Sequence, residues 1–199
     1  MREKTLCKRN EFLKTAKELF FKKGYSNVSI KEICQSLKTT TGSFYFMFPS
    51  KEKLLEELIF EDFSPIFSLG EKLGNSKKDL NCKLKEYLEK TIDFATREVE
   101  LYNFYENLMK ENGIGGKTAS ELKTISFQKK QEHLYKIIAS HKDEILYDNK
   151  KINDLAKYTL LILENKEYEI VNKIKNNESF NKNEEKDFLL KTIEGLLNK

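Results

Sequence analysis

Hydroxyl groups gather in one short stretch of this chain: Ser29, then Thr39, Thr40, Thr41 and Ser43, followed by the phenol of Tyr45 and the ammonium of Lys51. No nucleophile signature such as Gly-x-Ser-x-Gly surrounds them, so covalent catalysis is not the chemistry they suggest. Hydroxyls and backbone N–H groups at helix starts suit phosphate oxygens, and a lysine at a helix start reaches a phosphate as a point charge. Threonine also offers a methyl and a hydroxyl to base edges. The elements that must hold these groups can be read from the same residues. Ser29 followed by Glu32 is a capping box, opening a helix that carries Ile30, Ile33 and Cys34 and whose apolar face Leu37 closes. Lys38, Thr39, Thr40 and Thr41 break that helix. A second restarts at Thr40 or Thr41, where Gly42 permits close backbone approach and Phe44, Tyr45 and Phe48 return at helical spacing. Ser50 caps a third helix from Lys51, with Pro49 just outside it. Two short helices joined by a tight turn form a helix-turn-helix.

Charge supports a polyanionic partner for this stretch. Through Lys53 the chain carries 12 Lys and Arg against 5 Asp and Glu, an excess of +7; the rest carries 24 against 27, or −3, which together make the overall +4. A positive end on a near-neutral body is suited to phosphates.

Together these residues resemble the DNA-binding domain of the TetR family of bacterial transcription regulators. Phe12, Leu13, Ala16, Leu19, Phe20, Gly24 and Tyr25 stand where that family has its first-helix core and the glycine ending it. Ile30, Ile33, Gly42, Tyr45, Phe48, Ser50, Lys51, Glu52 and Leu54 continue the register without a gap, over roughly the first quarter of the chain. Lys38 and Thr39 depart from it: the family commonly has a glycine and a small aliphatic residue there, which implies a changed turn. The resemblance places Thr40, Thr41, Gly42 and Ser43 at the start of a recognition helix facing the major groove, with Thr39 beside them, and gives Ser29, Tyr45 and Lys51 to the phosphates. That helix has no Arg, Asn or Gln for bidentate base contacts, so its threonines would read thymine methyls and groove edges weakly. Lys31, Gln35 and Lys38 add groove-edge contacts, and a basic arm of Arg2, Lys4, Lys8 and Arg9 follows the backbone or enters a narrow minor groove. The expected operator is double-stranded, palindromic and A·T-rich.

Other chemistries fit less well. Gly113 to Thr118 reads Gly-Ile-Gly-Gly-Lys-Thr, but a P-loop needs glycine where Glu111 stands and a preceding strand. Thr118 with Glu121 reads instead as a capping box after a glycine-rich helix stop. His133 and His141 have no Cys or carboxylate cluster at metal-ligand spacing, so no metal and no cofactor is expected. Three scattered cysteines, Cys7, Cys34 and Cys82, fit reduced thiols, with Cys34 on the buried side of its helix. No apolar run approaches the ~20 residues of a membrane span, and the N-terminus lacks a signal-peptide segment, so a cytoplasmic, non-membrane protein is expected.

With two prolines, eight glycines and three- and four-residue apolar spacing almost throughout, the fold class is all-α. Residues 1–53 are assigned to the helix-turn-helix domain and 54–199 to a helical regulatory and dimerisation domain. Helices are expected from Lys51 to Leu69, Asp79 to Glu98, Val99 to Lys110, Thr118 to Ile145, Lys151 to Lys175 and Asn183 to Asn198. The last two are apolar on more than one side, which asks for burial on more than one side. By resemblance they pair two subunits into a four-helix bundle, and Leu155, Leu161, Ile162, Leu189, Ile193 and Leu196 are assigned to that dimer interface. The aromatic set Phe60, Phe63, Phe67, Phe94, Tyr102, Phe104, Tyr105, Phe127 and Tyr135 lies where the family's regulatory domain holds an effector, and aromatic clefts between helices suit small molecules. The whole reads as a homodimeric, non-enzymatic repressor released from its operator by a small-molecule effector. The alternative is a DNA-bound scaffold or regulator controlled by a protein partner, with no small-molecule effector.

Overall fold

The computed structural model describes residues 2–142 and 147–197, with side chains from residue 6 onward. Among the described residues there are ten helices and no strand: α1 (Arg2–Lys23), α2 (Ile30–Ser36), α3 (Thr41–Met47), α4 (Lys51–Asp62), α5 (Ser64–Gly74), α6 (Leu80–Arg97), α7 (Val99–Lys110), α8 (Ile114–Ala139), α9 (Asn149–Lys175) and α10 (Lys182–Leu197). The all-α expectation is met. The expected ends at Ile145 and Asn198 lie outside the described residues. The chain divides into two compact units, one formed by Met1–Phe63 and Asn103–Lys123, the other by Ser64–Tyr102 and Thr124–Lys199.

In the first unit α1 packs on α2 and α4, and α2 packs on α3. Its centre is aromatic: the fully buried ring of Phe12 meets Phe44 edge-on at 5.7 Å and Phe48 at 6.2 Å. Each short helix is closed by the cap its sequence announced. Ser29 accepts from the Glu32 N–H, Thr40 from the Ser43 N–H and Ser50 from the Lys53 N–H. These bonds satisfy N–H groups that a helix start otherwise leaves unpaired.

The turn between α2 and α3 closes through Lys38. This residue takes the left-handed conformation, φ 49°, while its N–H donates to the Gln35 carbonyl and the Thr39 N–H to that of Cys34. A residue with a Cβ is about 1–2 kcal/mol uncomfortable there, and glycine is not. Lys38→Gly is therefore expected to raise stability by about 0.5–1 kcal/mol after glycine's own backbone entropy is subtracted. Urea melts showing a loss instead would mean that the lysine side chain stabilises the turn.

Two expected boundaries are corrected. The helix expected from Lys51 to Leu69 is two helices, because Pro65 has no N–H to donate and its ring clashes with the preceding turn, so α4 ends at Asp62 and α5 starts at Ser64. α8 starts at Ile114 and not at Thr118, so the Thr118–Glu121 capping box does not form. Packing explains the glycine run. A Cβ on Gly115 would lie 2.4 Å from the Tyr25 ring, and one on Gly116 would lie 2.1 Å from the Glu111 carbonyl oxygen. These glycines let the start of α8 sit against the first unit's own backbone and rings, a role unrelated to nucleotides.

In the second unit α6 is central and packs against α5, α9 and α10. Its buried face runs through Leu80, Leu84, Leu88, Ile92 and Ala95 at helical spacing. α9 contributes Ile152, Ala156, Leu160, Leu163, Ile170 and Val171, and α10 contributes Leu189, Ile193 and Leu197.

Candidate nucleic-acid interface

Every residue expected at the groove or the phosphates lies in the first unit. Ser29, Thr40, Thr41, Gly42 and Tyr45 are exposed, while Thr39, Ser43 and Lys51 are half-buried. Tyr45 stands off α3 with its ring edge-on to the buried ring of Phe44 at 5.5 Å, which fixes the direction of its phenol. Several of the hydroxyls also have structural work. Thr40 Oγ1 and Ser29 Oγ are helix caps, and Ser43 Oγ accepts from Lys8 Nζ at 3.4 Å. Lys31, Gln35 and Lys38 are exposed along α2 and the turn.

Phe46, which sequence reasoning passed over, is 78% exposed on α3 beside the 56%-exposed Tyr45. A bare phenylalanine on a seven-residue helix has no folding reason to point outward. Its signal in the sequence was its place between Tyr45 and Phe48, off the buried positions 44 and 48.

The expected basic arm has a different form. Arg2 starts α1, so this segment is helix, and the half-buried Arg9 is tied to other parts of the unit. Its guanidinium donates to the Met47 carbonyl at 2.7 Å, pairs with Glu57 and lies 4.5 Å over the Phe48 ring. Arg9 thus ties α1 to the C-terminal end of α3 and to α4. The side chains of Arg2 and Lys4 lie outside the described residues.

Lys51 carries a load that its position at a helix start did not reveal. Its ammonium donates to the carbonyls of Tyr25 (2.7 Å) and Val28 (2.6 Å) and stands 4.0 Å from the centre of the Tyr25 ring. Burial holds its pKa below the ordinary lysine value. Beside it, the Ser50 hydroxyl bond holds the Glu52 carboxyl low, while burial and then Glu52 push the Tyr25 phenol up. An ammonium has three N–H donors, so one remains beyond the two carbonyl bonds.

The aromatic set expected to line one pocket is divided. Phe60, Phe63, Phe104 and Tyr105 belong to the first unit, and Phe67, Phe94, Tyr102, Phe127 and Tyr135 to the second. Within the first, Tyr105 donates to Asp62 at 2.8 Å and Phe63 and Tyr105 stand 5.9 Å apart. Within the second, Phe94 and Tyr102 meet at 6.3 Å. The residues assigned to a dimer interface also differ in placement. Leu189 and Ile193 are buried within the single chain; Leu155, Ile162 and Leu196 are half-buried; Leu161 is exposed. Tyr158 and Tyr168 on α9 and Phe188 on α10 are exposed as well.

Two short helices set by a tight turn, with hydroxyls and aromatic rings on the outer side of the second, define a helix-turn-helix protein with a separate helical unit. Residues 12–58 match the family profile described as bacterial regulatory proteins, tetR family. The HTH-type transcriptional regulator YuxN of Bacillus subtilis is 34% identical over 97 residues, 49% of this chain but only 29% of YuxN. A solved structure assigned to the TetR family, from Syntrophomonas wolfei, superposes with TM-score 0.74 at 22% identity, over 100% of this chain and 97% of the other. The SmeT–triclosan complex superposes with TM-score 0.73 at 13% identity, over 93% and 88%. At those identities the structures establish the fold, and the family profile covers residues 12–58 alone. Residues 12–58 are thus similar to the tetR family's profile, and the chain as a whole shares its fold with solved TetR-family structures. Among the described residues, no helix is long and apolar enough to cross a membrane.

Proposed function

We propose that this chain is a cytoplasmic, homodimeric transcription repressor whose operator is palindromic and A·T-rich, and which an effector molecule releases from DNA. Residues 1–53 would bind DNA, and residues 54–199 would dimerise and respond to the effector. One observation supports the DNA reading most: the family-matched helix-turn-helix presents Thr41, Tyr45 and Phe46 outward on one short helix, in the most basic part of the chain. The exposed apolar side chains of α9 and α10 support dimerisation, since apolar groups left bare on adjacent helices are commonly covered by another chain. That the related fold of SmeT takes triclosan supports an effector of small aromatic type. The effector would act by preferring the chain's low-affinity state, weakening DNA binding by its differential affinity for the two states.

Phe46 supplies the direct test of α3 as the reading element. With no bidentate donors on α3, discrimination should come from apolar contact with thymine methyls. Once the operator has been mapped by binding selection, Phe46→Ala is expected to cost ~1 kcal/mol, roughly fivefold in affinity. Deoxyuridine in place of the contacted thymine should cost the wild type a similar factor and the variant nothing, the non-additivity of two groups in contact. Equal losses in both proteins would remove Phe46 from the groove.

A further inference from the structure

Inside the second unit lies a polar group that its packing does not complete. Lys130 and Glu167 are both buried, on α8 and α9. Glu167 Oε2 accepts from the Tyr102 hydroxyl at 2.8 Å and lies 3.8 Å from Lys130 Nζ, which donates to Glu164 Oε1 at 3.3 Å. Two carboxylates thus face one ammonium. Glu167 Oε1 has no hydrogen-bond partner, and neither has the hydroxyl of the fully buried Tyr87. Burial and then the charges of Glu167 and Glu164 push the Tyr87 phenol up, so its hydroxyl lies in the field of the same carboxylates.

A carboxyl oxygen and a phenol buried without partners destabilise a folded chain, and polar groups left so in a packed core call for an explanation. The unmatched elements are specific: a buried carboxyl oxygen, a hydroxyl that can donate or accept, and two carboxyl groups beside a single ammonium, of which burial pushes that of Glu167 up. A carboxylate ligand would deepen the imbalance, and a purely apolar one would leave it.

We infer that this cluster is the polar end of the effector site and that it takes a protonated amine or similar cation on an apolar body, with Glu167 as counter-ion and the Tyr87 and Tyr102 hydroxyls orienting the cationic head. The inference rests on the effector reading above and gives it a ligand class. It also predicts that the unbound protein is less stable than it need be at Tyr87, the ordinary cost of a polar binding site kept ready.

The test uses the full chain and a matched series of phenylalkyl ammonium compounds, alcohols and carboxylates with one to six methylenes, titrated by calorimetry. At least one amine is expected to bind tenfold or more tightly than the alcohol of the same length, with the carboxylate weakest. Glu167→Gln should abolish that tenfold preference, weakening the amine far more than the alcohol. Tyr87→Phe should weaken amine binding several-fold while keeping or raising the unfolding temperature, an opposition that a purely structural hydroxyl would not show. Failure of every amine to bind, a preference for alcohols or carboxylates, or a preference that survives Glu167→Gln would overturn the assignment. Operator titrations separate the two readings. An alcohol that binds and releases DNA sinks the cation site but not effector control, and an amine that binds through Glu167 without weakening operator affinity sinks effector release but not the site.

Discussion

Replacing Lys51 by Ala is expected to destabilise the first unit by about 2–4 kcal/mol, since hydrogen bonds to a charged group contribute about 1.5–3 kcal/mol each and two carbonyls would be stranded. Those carbonyls belong to Tyr25 and Val28, in the loop that joins α1 to α2 and leads into the Ser29 cap. The lysine is therefore a clamp on the loop that orients the helix-turn-helix. Its position also matches a phosphate-holding lysine by family resemblance, and its third N–H can serve that end. The two roles have different readouts. Chemical denaturation reports the clamp, and an unchanged midpoint would remove it. The salt dependence of DNA binding, measured on the folded fraction, should become shallower by about 0.9 in log–log slope for one lost phosphate contact. An unchanged slope would leave Lys51 as a clamp only.

The second large effect concerns the surface of α9 and α10. Phe188 is 63% and Leu161 44% exposed, so a charge at either position is solvated in a single chain and should change its folding by no more than about 0.5 kcal/mol. In a dimer that covers them, the same charges would be buried without partners. Leu161→Glu with Phe188→Glu is expected to yield a folded monomer in sedimentation velocity, with an unchanged helical circular dichroism spectrum. Separating the two DNA-binding units removes the gain from simultaneous engagement of two half-sites, so operator affinity should fall by roughly 10²–10⁴-fold. A dimer that persists in the variant would place the interface elsewhere. Leu189 and Ile193 are unsuitable for this experiment: both are core, and charging them would unfold the chain.

Local chemistry made the N-terminal unit legible. Caps at Ser29, Thr40 and Ser50 depend on one side chain and an N–H three residues on, and Phe12, Phe44 and Phe48 fall into the core because helical spacing puts them on inward faces. The break at α4–α5 and the start of α8 differ from expectation for opposite reasons. Pro65 is a local signal that ends α4, whereas Gly115 and Gly116 look like a helix stop until Tyr25 and the Glu111 carbonyl are seen against them.

What the sequence determined by itself was the all-helical class and the basic helix-turn-helix whose register resembles the tetR family's, because periodicity, caps and charge run along a continuous stretch. Tertiary structure decided what each polar group does. Lys51 turned out to bind carbonyls 23 and 26 residues away, Arg9 to reach Met47 and Glu57, and Tyr102 to meet Glu167 across 65 residues. It also sorted the apolar residues of α9 and α10, burying Leu189 and Ile193 and leaving Leu161 and Phe188 bare. Such pairings join distant parts of the chain, and no spacing rule encodes them: a hydrogen bond depends on where two helices cross, which the packing of the whole unit settles.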